Sequence, residues 1–372
     1  MTQVEEGPAD FEVHLNASFE EHGLLSTGLQ ELEQLRLLLE GNSVVDWRRL
    51  SLRSEAEVDR LLRLQGFDPG DPIDQQRVGH IFTQAVEYLD RYFEFDLTAA
   101  LTQLENVKGL FLMASGPDSP AQRQACRILK VMHVFHHLQG RELLFTLPVS
   151  AAELYQRIEN KVFTALDGLK ARGVRVAEFA GSRKTVDSMI TKLLVQSESH
   201  AVQLHDRIRF RVITDSLDDL FEALVYLSTE LFPFNYVVPG ASRNGLIDLH
   251  RTIAADPQMK RFLKVMQFPE AQGPLPRSAT AAPVNHFSGH SFKIINFVVD
   301  LPIRVDDLLA RYNVPVNPEH GVVVFMLVEF QLCDQATAAA NEAGENRHDL
   351  YKARQRVRVA QRLKGGADDD QG

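Results

Sequence analysis

Between residues 29 and 139 the apolar positions recur three and four apart, as at Leu29, Leu32, Leu35, Leu38 and Leu39 and again at Val86, Leu89, Tyr92 and Phe93. That period lays an apolar stripe along one side of each helix, so the segment predicts a helical bundle. Two turn-forming runs, Asp68-Pro69-Gly70-Asp71-Pro72 and Gly116-Pro117-Asp118-Ser119-Pro120, divide it into separate helices.

After Pro148 the pattern changes. A helical stretch at 151–171 leads to a short strand at 174–179. Gly181 and a polar helix to about residue 196 follow, then a strand over Ile208-Arg209-Phe210-Arg211-Val212-Ile213 and a helix at 217–231. Beyond these come β-like runs at 292–299 and 322–332 and a basic helix at 346–364. The uninterrupted apolar run 322–328 reads as a central strand buried on both faces. The predicted class is α+β: an N-terminal helical bundle, residues 1–150, followed by a mixed β-sheet flanked by helices, residues 151–364. The proline-rich segment 254–283 is expected to be an insertion or lid, and the Gly/Asp-rich tail 365–372 to be disordered.

Composition narrows the partners. The chain of 372 residues is 44% hydrophobic and carries a formal net charge of -10, which gives no general attraction for nucleic acid or anionic membranes. Only Cys126 and Cys333 are present, too few for a disulfide framework or a cysteine zinc site. The first residues lack the basic start and apolar core of a secretory signal, and the longest apolar run falls far short of the roughly 20 residues a membrane helix needs. The expected location is the cytoplasm.

An anion site must then be a local cluster, and several candidates exist. Lys184, Ser188 and Lys192 are spaced four apart, with Arg183 just ahead of them. At the start of a helix such a stripe suits a phosphate; it also suits a solvated amphipathic face. Arg207, Arg209 and Arg211 alternate along a strand and so share a face, where three cations call for an anion or for an edge exposed to water. Asp206 precedes them on the opposite face of an ideal strand. Glu329 and Gln331 end the apolar run 322–328, and Asp206 with Glu329 could hold a magnesium ion, unless the strand simply emerges into solvent there. His348, Tyr351 and Lys352 share a helix face. His133 and His137 sit four apart with His136 beside them; no further ligand follows, so they are expected to be surface histidines.

In this order the clusters resemble the RelA/SpoT-type alarmone synthetase domain, a nucleotidyltransferase-like family. The matches read Lys184-x-x-x-Ser188-x-x-x-Lys192, Asp206-x-x-x-x-Arg211, Ser288-x-His290, Glu329-x-Gln331 and His348-x-x-Tyr351-Lys352. The resemblance covers a little over half of the chain. It implies transfer of the β,γ-pyrophosphate of ATP to the 3′-hydroxyl of GDP or GTP with magnesium. By the same resemblance Arg183, Lys184, Ser188 and Lys192 would grip the ATP phosphates, Asp206 would be the main metal ligand and Arg211 would neutralise phosphate charge. Glu329 would bind the metal or take the hydroxyl proton, with Gln331 orienting it. His290, His348, Tyr351 and Lys352 would complete the acceptor side. Three departures stand out: Ser182 replaces the family's first arginine, His286 falls where a tyrosine stacks on guanine, with Phe287 the nearest ring, and Arg209 fills a position usually held by a small residue. Two alternatives therefore stay open, a nucleotide-binding sensor without turnover and a transferase using another acceptor, an adenine nucleotide or a tRNA 3′ end. A homo-oligomer is compatible with either.

Overall fold

The computed structural model describes residues 29–40, 50–93, 95, 97–104, 106–195, 208–255, 260–263, 266, 292–317, 319–343, 356–361 and 363. Its first half is helical: α1 (Leu29–Glu40), α2 (Glu55–Leu64), α3 (Pro72–Phe93), α4 (Ala99–Thr102), α5 (Lys108–Ala114) and α6 (Pro120–Thr146). The turn residues cap as their chemistry predicts. Asp71 Oδ1 accepts from the Ile73 amide at the start of α3, and Ser119 Oγ accepts from the Gln122 amide at the start of α6, where Pro120 has no N–H to lose.

The second half alternates: α7 (Ala151–Ala171), β1 (Val176–Arg183), α8 (Val186–Val195), β2 (Ile208–Thr214), α9 (Leu217–Tyr226), β3 (Arg243–Asn244), α10 (Leu249–Ala255), α11 (Lys260–Leu263), β4 (Ile295–Arg304), α12 (Asp306–Arg311), β5 (Val323–Asp334) and α13 (Gln335–Glu342). Its strands form a sheet in the order β1-β2-β5-β4-β3, with β2 and β5 parallel and the other neighbours antiparallel. The fold is α+β. No described helix is long and apolar enough to cross a membrane.

Period-two alternation gives the sheet two unlike faces. On one, Phe210, Phe330 and Phe297 lie side by side with ring centroids 5.8 and 5.5 Å apart, and Phe179 stacks on Phe210 at 5.7 Å. This face buries against α7 and α9 through Leu166, Leu169, Leu220 and Leu224. Leu32, Leu35 and Leu38 of α1 join the same core, so α1 is shared with the sheet, while α2, α3, α5 and α6 enclose a second core around Val58, Phe82, Phe111 and Leu129.

The other face is covered at its two ends. At one, Ala338 of α13 covers Ile213 and Cys333. At the other, α6 lies on Phe325, with no room at the crossing: a Cβ at Gly140 would stand 2.5 Å from the Phe325 ring and 2.7 Å from the Val323 carbonyl oxygen. Arg304 of β4 pairs with Asp74 of α3, whose exposure is 1%, and donates to the Gly66 carbonyl at 3.0 Å. These contacts seat the helical bundle beside the part of the sheet that carries the polar residues.

Three expectations change. Strand β1 runs to Arg183 rather than ending at Phe179, because Gly181 continues the ladder opposite Phe210, whose ring would lie 3.1 Å from a Cβ at that position. Lys184 consequently lies ahead of α8 instead of on it. The strand foreseen at 292–299 begins later and extends through Pro302 to Arg304, paired along its whole length with β5. Of the basic helix at 346–364, residues 356–361 are described and helical; the tail 365–372 and most of 254–283 lie outside the described residues.

Candidate functional site

The register assembles the site. Arg209 of β2 stands opposite Glu329 of β5, and Arg211 opposite Gln331. On the far side of β5, Asn296 of β4 stands opposite Gln331 and Val298 opposite Glu329. All of these lie on the face away from the phenylalanine row, between α6 and α13.

Glu329 is the centre. The residue is buried, at 5% exposure, yet its side chain carries three hydrogen bonds: Arg209 Nε donates to Oε2 at 2.8 Å, while Asn296 Nδ2 and Gln331 Nε2 donate to Oε1 at 2.9 and 3.0 Å. Burial pushes the carboxyl pKa up, but Arg209, Lys184 and the bond from Gln331 outweigh it and hold the group below its usual value. A buried carboxylate without such partners would take up a proton; with them it stays an anion.

Arg183 and Lys184 part company at the end of β1. Ser182 takes the Arg209 face, and Arg183 turns to the helix-covered side, where two bonds of 2.8 Å join its guanidinium to Glu159 of α7 over the Tyr155 ring. Lys184, half-buried, contributes its charge to Glu329 instead. Ser188 is exposed and its hydroxyl accepts from Thr185 Oγ1 at 3.0 Å. Only the backbone of Lys192 is described. Arg211 reaches Glu342 of α13 at 3.6 Å, a loose and half-exposed pair. Asp206, His286, Phe287, Ser288, His290, His348, Tyr351 and Lys352 lie outside the described residues, as does Arg207.

Asn296 is a member of the site that motif reading passed over. Its amide nitrogen holds Glu329, and its buried Oδ1 has no hydrogen-bond partner among the described residues. The signal was present as a single amide in the apolar run Ile294-Ile295-Asn296-Phe297-Val298. A polar residue inside a central strand needs a partner, and here the neighbouring strand supplies one.

For magnesium, the donor set is partial. A carboxylate offers about four lone-pair positions, and Glu329 uses two at Oε1 and one at Oε2, leaving one on the Arg209 side. Among the described residues no group of three or more His, Cys, Asp or Glu side chains could hold a metal. Glu329 therefore has one position open to a cation, and Asp206 lies outside the described residues.

The histidines of α6 are not at the surface. His137 stacks on Phe325 with centroids 4.1 Å apart, His136 meets the same ring edge-on at 4.9 Å, and His136 Nδ1 is 3.0 Å from the Tyr236 hydroxyl. His136 is buried, and His133 and His137 are partly buried, because α6 faces the bundle on one side and β5 on the other. Burial pushes His133 down to about 3, and it lowers His136 as well; the charge of His137 adds to both. His137 is also lowered, burial outweighing the pull of Asp300 at 3.6 Å. In the unfolded chain a histidine titrates near about 6.5, so below that pH the unfolded state binds the more protons. Their contribution to stability is complete above about pH 6.5 and is lost as pH falls toward the folded values, by up to ~1.4 kcal/mol per pH unit for each ring. Urea unfolding followed from pH 7.5 to 5 should show this slope, and His136→Gln should flatten it; an unchanged slope in the variant would count against the buried neutral ring.

A comparison with models of known families gives no match, and no curated protein matches. Solved structures do. The chain is similar to small alarmone synthetases. The small alarmone synthetase 1 of Bacillus subtilis, bound to its product pppGpp, matches at 14% identity over 58% of this chain and 94% of that one, with a TM-score of 0.30. The small alarmone synthetase 2 of the same organism matches at 12% identity over 57% and 92%, with a TM-score of 0.28. A GTP pyrophosphokinase family protein from Streptococcus pneumoniae matches at 12% identity over 59% and 95%, with a TM-score of 0.26.

Proposed function

We propose that this chain is a nucleotide pyrophosphokinase of the RelA/SpoT type, transferring the β,γ-pyrophosphate of ATP to the 3′-hydroxyl of GDP or GTP. The observation that carries this reading is the buried, ionised Glu329 among Arg209, Lys184, Asn296 and Gln331 on the sheet face away from the phenylalanine row. The motif series supplies the order of the remaining parts.

In the reaction the 3′-oxygen attacks the β-phosphorus of ATP, the bond from that phosphorus to the α-phosphate oxygen breaks, and AMP leaves. Glu329 receives the hydroxyl proton, and Asn296 and Gln331 keep its carboxylate aimed. Arg211 and Lys184 hold the phosphate oxygens and offset charge as the bond breaks. Asp206 would hold the magnesium ion, which would neutralise phosphate charge when bound, and the one open position of Glu329 is left for the proton. Positioning and charge stabilisation are enough for phosphate transfer of this kind, and no covalent intermediate is needed.

The purified chain with ATP, GDP or GTP and magnesium is expected to release AMP and a 3′-pyrophosphorylated nucleotide in equal amounts. Substituting ADP or tRNA for the guanine nucleotide tests the acceptor, and equal rates with all three would remove the guanine assignment. A second reading is favoured by one contact: Arg209 already occupies Glu329. If calorimetry shows nucleotide binding while no acceptor yields AMP, the chain is a nucleotide-binding sensor.

A further inference from the structure

Arg209 stands between solvent and the carboxylate the reaction needs. Its side chain is 29% exposed and that of Glu329 7%, so the guanidinium forms the lid of the pair and the carboxylate its floor. A hydroxyl approaching Oε2 meets Arg209 first. The other oxygen is held independently by Asn296 and Gln331, so losing Arg209 would free one oxygen without releasing the whole group. Arg211 lies two residues along the same strand and the same face, about 7 Å away by strand geometry, within the swing of an arginine side chain and without backbone movement.

We propose that Arg209 is a latch on Glu329, held closed by their ion pair and drawn off by a polyphosphate that docks beside Lys184 and Arg211. This rests on the reading of the face as a polyphosphate site and adds a condition to it: the base is uncovered only when the donor is in place. The exchange is chemically balanced, since the guanidinium trades one carboxylate for phosphate oxygens that suit its fork equally well and carry more charge. No bond other than hydrogen bonds changes. Arg209 is a positioning residue in this scheme, acting on the hydroxyl only through Glu329.

The test is a double-mutant cycle on binding, with inorganic tripolyphosphate as probe and a chelator present, so that neither turnover nor a metal enters. Glu329→Gln removes the charge that holds the latch, and calorimetry should give about tenfold tighter binding than the parent, the size of a mid-range coupling between contacting residues. The double variant Arg209→Gln/Glu329→Gln should bind no tighter than Arg209→Gln. An equal gain in both backgrounds, or no gain in either, overturns the latch, because the effect is then general charge alone. If Glu329→Gln does not fold, the Arg209 Nε–H resonance of the parent reports the same step. It should shift as tripolyphosphate saturates, and an unmoved resonance overturns the proposal. A coupled cycle without AMP formation retains the latch and removes the enzyme; AMP formation with an additive cycle does the reverse. Failure of all variants to bind tripolyphosphate overturns both.

Discussion

Glu329→Gln is expected to reduce AMP formation by about 10² to 10⁴-fold, the usual size of a general-base contribution, while leaving a folded protein. The amide is nearly isosteric, and the site can accept it. If its oxygen faces Arg209, its NH2 faces the two donors that now serve Oε1, Asn296 Nδ2 and Gln331 Nε2. Asn296 can resolve its share of that conflict by turning its amide, because its Oδ1 has no bond to lose among the described residues. Glu329→Ala is a different experiment. It strips the counter-charge from Arg209, and because that guanidinium is partly open to water the cost falls below the about 3–5 kcal/mol of a fully buried pair. Initial rates with ATP and GDP, alongside thermal unfolding, separate the two effects. A Glu329→Gln protein that keeps the parental rate would exclude Glu329 as the proton acceptor.

Gly140→Val is expected to destabilise the packing of the bundle on the sheet. A Cβ there would stand 2.5 Å from two atoms of the Phe325 ring and 2.7 Å from a backbone oxygen of β5, so helix or strand must move. Overpacking of this kind costs about 1–3 kcal/mol or more, and here one colliding atom belongs to the backbone and cannot rotate aside. Because Phe325 and Glu329 lie four residues apart on the same face of β5, the displacement reaches the candidate site as well. Gly79 in α3 is the control. Nothing lies within 4 Å of a Cβ built there, and alanine should stabilise the helix by up to about 1 kcal/mol. Urea midpoints for the two variants should move in opposite directions, and equal midpoints would show that α6 does not seat tightly on β5.

Much of this was legible in the chain. The helix at 151–171 is foreseen to its ends, because its apolar positions keep the helical period and Ser150 caps its first turn through the Glu153 amide. The shared face of Arg209 and Arg211 follows from alternation alone, and the apolar run that begins β5 does mark a strand inside the sheet. The errors have one kind of cause. Gly181 looked like a stop, yet the ring of Phe210, contributed from a distant strand, makes it the residue that fits there. Arg183 and Lys184 looked like one cluster, and the extra strand residues sent them to opposite sides of the sheet. The histidines looked solvated because helical spacing says which residues share a face and nothing about what covers it.

Local order is thus what the sequence determined by itself: the class of each segment, the alternation that puts arginines and acid on polar faces, and the series of motifs. Those follow from the geometry of a single helix or strand, which each short stretch carries within it. Only the tertiary structure decided that Arg209 closes on Glu329, that Asn296 holds the same carboxylate, and that α6 buries its histidines on Phe325. Each of these joins residues at least 33 positions apart, and such contacts exist only once strand register and helix packing have brought them within reach.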